Sequence, residues 1–359
     1  MALRPSVEWL LVLFPVAIVL KYLGAPAPLL FVIAALVIVP LAALIVRSTE
    51  QVSEHTGPAL GGLLNATFGN LPELIIGFVA LRAGLITMVR ASLIGAILAN
   101  VLLALGIAFI LGGRRHHVMD YNPAGARTYG SMLMLAVVTL AVPAAFHRFL
   151  GAAELSADQT LDIATAVVLL ITYVCYLIYM IGTHPEFFAA GGGDHEAGHG
   201  PSWSPGRAVA TLVAASVGAA WMSEILVGAA EATGHALAMS PIFLGMVLLA
   251  VIGGAAESGS AIAMARRNKP DLAVGIAMGS SIQIALFVTP LLVLVSVVMA
   301  PSPLTLAFTR LEIGALLFGA LIVATTSGDG QATWFKGVQL VGFYLILAAL
   351  FYLLPAEAP

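Results

Sequence analysis

The chain alternates long apolar stretches with short polar breaks. Windows of membrane-spanning length fall at about 7–23, 27–46, 57–82, 88–112, 125–146, 159–182, 206–230, 240–265, 271–299, 304–326 and 334–354. Period-two alternation is absent, so the pattern predicts helices rather than the strands of a barrel. The expected fold class is an all-α membrane protein with eleven transmembrane helices. An odd count places the two termini on opposite sides.

Composition agrees with the pattern. Hydrophobic residues make up 60% of the 359 residues and charged ones 9%, against about 25% charged in soluble domains, and the mean hydropathy is +1.04. The first window has the length of a signal core, but no small-residue cleavage motif follows it, so it reads as a retained first helix with no transit peptide. A net charge of −3 without a basic tract argues against a nucleic-acid partner. Cys175 is the only cysteine, which excludes an internal disulfide and a thiolate metal cluster.

Lys and Arg set the expected orientation. With the N-terminus inside, the inner side holds ten of them (Arg4, Arg47, Arg114, Arg115, Arg127, Arg207, Arg266, Arg267, Lys269, Lys336) and the outer side five (Lys21, Arg82, Arg90, Arg148, Arg310). The expectation is a cytoplasmic N-terminus and an external C-terminus, in the plasma (inner) membrane of a prokaryote.

Against this background the ionisable residues inside apolar windows stand out. Glu73 ends the pentapeptide Gly69-Asn70-Leu71-Pro72-Glu73 in the third window. A charge near the bilayer centre costs at least about 2.5–3.5 kcal/mol, so such a residue is a functional candidate. Pro72 has no N–H to offer the carbonyl of Phe68, which is left for a ligand or water. Asn70 and Glu73 are three residues apart and share a helical face, where their oxygens suit a hard cation.

A second copy of this pattern lies in the eighth window as Gly253-Gly254-Ala255-Ala256-Glu257. Glu73 precedes Gly95 by 22 residues and Glu257 precedes Gly279 by 22, while Arg82 and Arg266 each follow their glutamate by nine. The same register pairs Ala96 with Ser280 and Ala99 with Gln283; Thr49-Glu50 pairs with Ser223-Glu224, though across loops of different length. Ser280 and Gln283 share a face and add a hydroxyl and an amide oxygen, whereas the stretch from Gly95 to Asn100 is poorer in oxygen. For Ser281 and the other small residues, helix packing is an equal alternative.

The organisation that follows is an extra N-terminal helix (1–25), a five-helix repeat (26–183), a cytoplasmic linker rich in His and Gly (184–206) and a second five-helix repeat (207–359). Five is odd, so the second copy enters the membrane inverted, an architecture that places a binding site at the midplane between broken helices. Glu73 and Glu257 are expected to face each other there. The His and acidic residues of the linker offer metal binding or pH sensing, but its glycines favour a flexible connection.

The run from Gly57 to Ile76, containing Gly69-Asn70-Leu71-Pro72-Glu73, and the run from Gly279 to Phe287 resemble the two signatures of the Ca2+/H+ antiporters, the cation/proton exchanger branch of the calcium/cation antiporter superfamily. The resemblance implies eleven helices, an added first helix and one ion-binding glutamate per repeat, here Glu73 and Glu257. Three positions depart from the family pattern: Gly254 where Asn is usual, Ser258 where His is common, and Ala96 where Ser is usual.

The resulting expectation is a secondary antiporter, not an enzyme, with Ca2+ and H+ as substrates and no cofactor. Either two protons or one Ca2+ neutralises a glutamate pair, and a neutral site crosses the low-dielectric barrier most easily. Glu50 and Glu224 are candidates for proton relay or gating, or else surface carboxylates near helix ends. Alternatives are a Na+/Ca2+ or monovalent cation/proton exchanger on the same scaffold, and a passive cation channel. No zinc-protease motif or nucleophile elbow supports an intramembrane enzyme.

Overall fold

A computed structural model describes residues 7–56, 58–150, 155–184 and 203–354. Residues 185–202, the greater part of the linker with its histidines beyond His184, lie outside the described residues. A short 3-10 turn leads into α1 (Leu13–Tyr22), followed by α2 (Ala27–Thr56), α3 (Pro58–Phe68) and α4 (Leu71–Arg82). Then come α5 (Ile86–Leu98), α6 (Leu105–His116), β1 (Val118–Asp120), α7 (Pro123–Leu150) and α8 (Leu155–Leu177). After the linker follow α9 (Pro205–Leu237), α10 (Pro241–Phe243), α11 (Ala250–Gly253), α12 (Ala255–Arg266), α13 (Pro270–Gln283), α14 (Thr289–Met299), α15 (Arg310–Ser327), β2 (Gln331–Thr333) and α16 (Trp334–Tyr352).

Among the described residues eight helices are long and apolar enough to cross a membrane, or nine if the bent pair Pro241–Gly253 and Ala255–Arg266, which turns by 58°, counts as one. Two of the eleven windows fall short. The first forms only the ten-residue α1 behind its 3-10 turn, and the third is split into α3 and α4 at Gly69 and Asn70. The split has a local cause: Gly69 is a poor helix former, and Pro72, near the start of α4, cannot donate back to Phe68.

The structure is nearly all helical, as expected, with one small addition. Val118–Asp120 pairs antiparallel with Gln331–Thr333 in a two-stranded ribbon. Its strands are three residues each, too short to leave an alternation in the sequence. Lys336 bonds the Asp329 carboxylate and the Gln331 carbonyl, tying the ribbon to the start of α16.

Two packed regions make up the core. One joins α2 and α9 with α1 and part of α4; the other gathers α5–α8 and α12–α16. Val209, Val213 and Val217 repeat every fourth residue on the exposed face of α9, as expected of a helix turned to lipid. Where the linker ends, Trp203 is clamped: its N–H donates to Gln51, its carbonyl bonds His55, and Arg47 and Arg207 stack on its ring.

The fourth and eighth stretches meet without intervening side chains. A Cβ on Gly95 of α5 would stand 2.0 Å from the carbonyl oxygen of Met246, and one on Gly245 would stand 2.3 Å from that of Met88. Glycine is required at both positions because backbone faces backbone. The helix around Gly245 is π-helical (Leu244–Leu249), and similar turns follow α5 (Ala99–Ala104), α13 (Ile284–Val288) and α8 (Ile178–Thr183). Such turns often lie at functional sites.

Candidate functional site

Two helix breaks meet at the centre of these elements. Asn70 caps α4 with φ −92° and ψ 19°, and Gly254 caps α12 with φ −79° and ψ 10°, so the two breaks share one backbone shape. Each places a glutamate in the first turn of the helix that follows, Glu73 in α4 and Glu257 in α12. Carboxylates are favoured at helix N-termini, where amide dipoles point at them.

Each glutamate lies over the glycines of the opposite break. Glu73 Cγ is 3.3 Å from the position a Cβ on Gly253 would take, and Glu257 Oε1 is 3.7 Å from the corresponding point on Gly69. Each carboxyl group thus lies against the other's helix break, and among the described residues neither has a cationic partner.

Their surroundings differ. Ser280 donates to Glu257 Oε2 at 2.6 Å and also lies 3.1 Å from Asn70 Oδ1; a hydroxyl has one proton, and the shorter bond goes to the carboxylate. Asn70 donates to Gln283 at 2.5 Å, and Asn100 donates to the Ser280 oxygen at 3.1 Å. Both oxygens of Glu73 are buried without a hydrogen-bond partner. Beside Glu73 is a cavity of about 20 Å³ lined by Ser92, Ala96 and Gly253 among others, enough for about one water molecule. Buried unpartnered carboxylate oxygens are costly, and a cation, a proton or water relieves that cost.

The expected site residues therefore divide. Glu73, Glu257, Asn70, Ser280 and Gln283 come together in one polar cluster. Phe68 ends α3 immediately before the break, and Pro72, four residues on, has no amide hydrogen to offer its carbonyl. Glu50 and Glu224 lie on exposed faces of α2 and α9, and neither shares a hydrogen bond with the cluster. Ser281 spends its hydroxyl on the carbonyls of Ala277 and Ile97, a packing role.

Asn100 belongs to the cluster, although the sequence marked its stretch only as poor in oxygen. The available signal was an amide in mid-window, which the structure buries at 2% exposure. Outside the cluster another acid, Glu312, is fully enclosed; it caps α15 with Thr309 and faces Arg90 across 3.9 Å.

Broken helices that meet around buried carboxylates in an apolar helical bundle are the arrangement of secondary transporters. A model of the sodium/calcium exchanger protein family matches residues 26–182 and 207–353. A Ca2+/H+ antiporter of Synechocystis sp. is 38% identical, with 96% of each chain covered, and the Ca2+/H+ antiporter ChaA of Bacillus subtilis is 36% identical over 95% of this chain and 96% of that one. The solved structure of native YfkE superposes with a TM-score of 0.84 at 33% identity, covering 97% of this chain and 100% of that one. The H+/Ca2+ exchanger CAX shares the fold with a TM-score of 0.73 at 14% identity, over 96% of this chain and 91% of that one. The chain belongs to the sodium/calcium exchanger protein family, alongside the Ca2+/H+ antiporters.

Proposed function

We propose that the protein exchanges Ca2+ for protons across a membrane by alternating access, with Glu73 and Glu257 as the shared binding groups. The observation that carries this reading is that each carboxylate rests on the glycines of the other's helix break, with no basic side chain among the described residues paired to either. Such a pair must hold a positive charge, either one divalent cation or protons. The names of the 35–38% identical relatives, Ca2+/H+ antiporters, point the same way. Ca2+ accepts six to eight flexible oxygen ligands, which suits carboxylates, amides and carbonyls gathered at loosened helix ends, whereas Mg2+ demands tight octahedral geometry.

The fold assigned to this function has eleven membrane-crossing units: an added first helix and two inverted repeats of five, with α3–α4 and α10–α12 as corresponding broken spans. A family model that matches the two halves separately supports the repeat. The N-terminus is assigned to the cytoplasm. Glu50 and Glu224 take the role of relaying protons or gating entry from the exposed faces of α2 and α9.

Protons and Ca2+ compete for the same oxygens, so Ca2+ binding weakens as the pH falls. In proteoliposomes an imposed proton gradient drives Ca2+ uptake, and replacing it with a Na+ gradient does not. Glu73→Gln and Glu257→Gln each lower that uptake at least about tenfold, since each removes a charged ligand. Full uptake in both variants, or Ca2+ flux indifferent to pH, disproves the assignment.

A further inference from the structure

We propose that Tyr173 of α8 is a positioning residue of the site: it braces the end of α3 against the π-turn at Ile284–Val288 and so holds Asn70 within bonding distance of Gln283. The proposal rests on reading the polar cluster as the Ca2+ site. The ring of Tyr173 is buried and stacks on that of Phe287, with centroids 5.0 Å apart and planes 21° from parallel. Its hydroxyl hydrogen-bonds Thr67 in the last turn of α3. The Thr67 hydroxyl already donates to the Leu63 carbonyl at 2.8 Å, so the tyrosine is the donor.

The two residues that Tyr173 touches flank the two that bond. Thr67 precedes Asn70 by three positions, and Phe287 follows Gln283 by four. Asn70 donates to Gln283 at 2.5 Å. One aromatic side chain thus spans the same two elements as that bond, with its hydroxyl on one and its face on the other. Stacked rings hold a defined offset and separation, so the tyrosine is a spacer as well as a tether.

The far end of α3 needs such a brace. α3 is eleven residues long, and the break at Gly69 and Asn70 loosens the helical ladder that would tie it to α4. Near its start it is held by α2: Ser53 donates to the Gly61 carbonyl at 3.0 Å, and a Cβ on Gly61 would stand 2.7 Å from the Ser53 carbonyl oxygen. Near its end the orientation of one amide matters. With its nitrogen bonded to Gln283, Asn70 presents its oxygen to Ser280, the serine that holds Glu257. An α3 free to drift from the π-turn would lose that bond and, with it, the direction of the Asn70 oxygen.

The test is equilibrium binding of radioactive Ca2+ to purified protein, run beside proton-driven Ca2+ uptake. Tyr173→Phe keeps the stack and loses the hydroxyl; it weakens Ca2+ binding about fivefold, the effect of one hydrogen bond. Thr67→Val does the same, the two together are no worse than either, and Thr67→Ser, which keeps the acceptor, restores what Thr67→Val loses. In a Gln283→Ala background Tyr173→Phe causes no further loss, because the bond that it positions is already gone. Tyr344→Phe removes a buried hydroxyl of α16 that has no hydrogen-bond partner among the described residues, and leaves Ca2+ binding unchanged. Full binding in Tyr173→Phe, or an equal loss in the Gln283→Ala background, overturns the proposal and leaves the exchange reading standing. If Gln283→Ala binds too little Ca2+ to measure, the Thr67 and Tyr173 pair decides, and additive losses overturn the proposal. The expected pattern of binding in a protein that moves no Ca2+ against protons sinks the exchange reading alone.

Discussion

At the scale of single residues, the two glutamates occupy equivalent positions in unlike surroundings. Glu257 is held by Ser280, whose hydroxyl also faces Asn70 and receives a bond from Asn100. Removing that hydroxyl disconnects three side chains at once. Ser280→Ala is expected to weaken Ca2+ binding by about tenfold, as the loss of a hydrogen bond to a charged group implies, read by equilibrium Ca2+ binding. Its neighbour Ser281 bonds only backbone carbonyls, so Ser281→Ala is expected to change Ca2+ binding by less than about threefold. The glutamates, Asn70, Ser280 and Gln283 were legible in the sequence because polar groups are rare inside apolar windows and recurred in register. Asn100 was equally visible as a letter, but its importance depends on its bond to Ser280, 180 positions away, and no spacing rule conveys that contact.

At the scale of elements, glycines decide how closely the helices approach. Gly95 and Gly245 let α5 and the π-turn at Leu244–Leu249 meet backbone to backbone. A methyl group at Gly95 would sit 2.0 Å from a carbonyl oxygen that no rotamer change can move. Gly95→Ala is expected to lower the thermal midpoint sharply or abolish folded protein, an overpacking cost of about 1–3 kcal/mol or more. Gly342→Ala, in α16 with nothing within 4 Å of its Cβ position, is expected to be neutral or stabilising by about 0.5–1 kcal/mol. Thermal unfolding of the two variants side by side checks both. The sequence pointed to a weak place in the third stretch from Gly69 and Pro72, and in the eighth, where Gly253 and Gly254 have no proline beside them, only through the repeat. It missed the ribbon of Val118–Asp120 with Gln331–Thr333, because three-residue strands separated by over two hundred positions leave no local trace.

At the scale of the whole molecule, the functional argument turns on which helix ends share a side. If the two repeats are inverted, Arg82 and Arg266, each nine residues past its glutamate, emerge on opposite faces. Both are exposed at helix ends, which makes the sites suitable for labelling. Cysteines placed at positions 82 and 266, in a chain with Cys175→Ala, are expected to react with an impermeant thiol reagent from opposite sides of sealed vesicles. Labelling of both from one side rules out the inverted arrangement. The same vesicles test coupling: a protonophore is expected to stop Ca2+ accumulation without blocking passive Ca2+ equilibration.

The sequence alone determined that this is a helical membrane protein with two related halves and an acid in each. Those properties follow from the cost of polar groups in hydrocarbon and from helix periodicity, both of which act within a few turns of chain. Only the tertiary structure decided that each carboxylate rests on the glycines of the other half, that one is bonded and the other unpartnered, and that Asn100 bonds the serine that holds Glu257. Contacts between residues some two hundred positions apart depend on how closely helices can pack, and that is settled by shape, glycine by glycine.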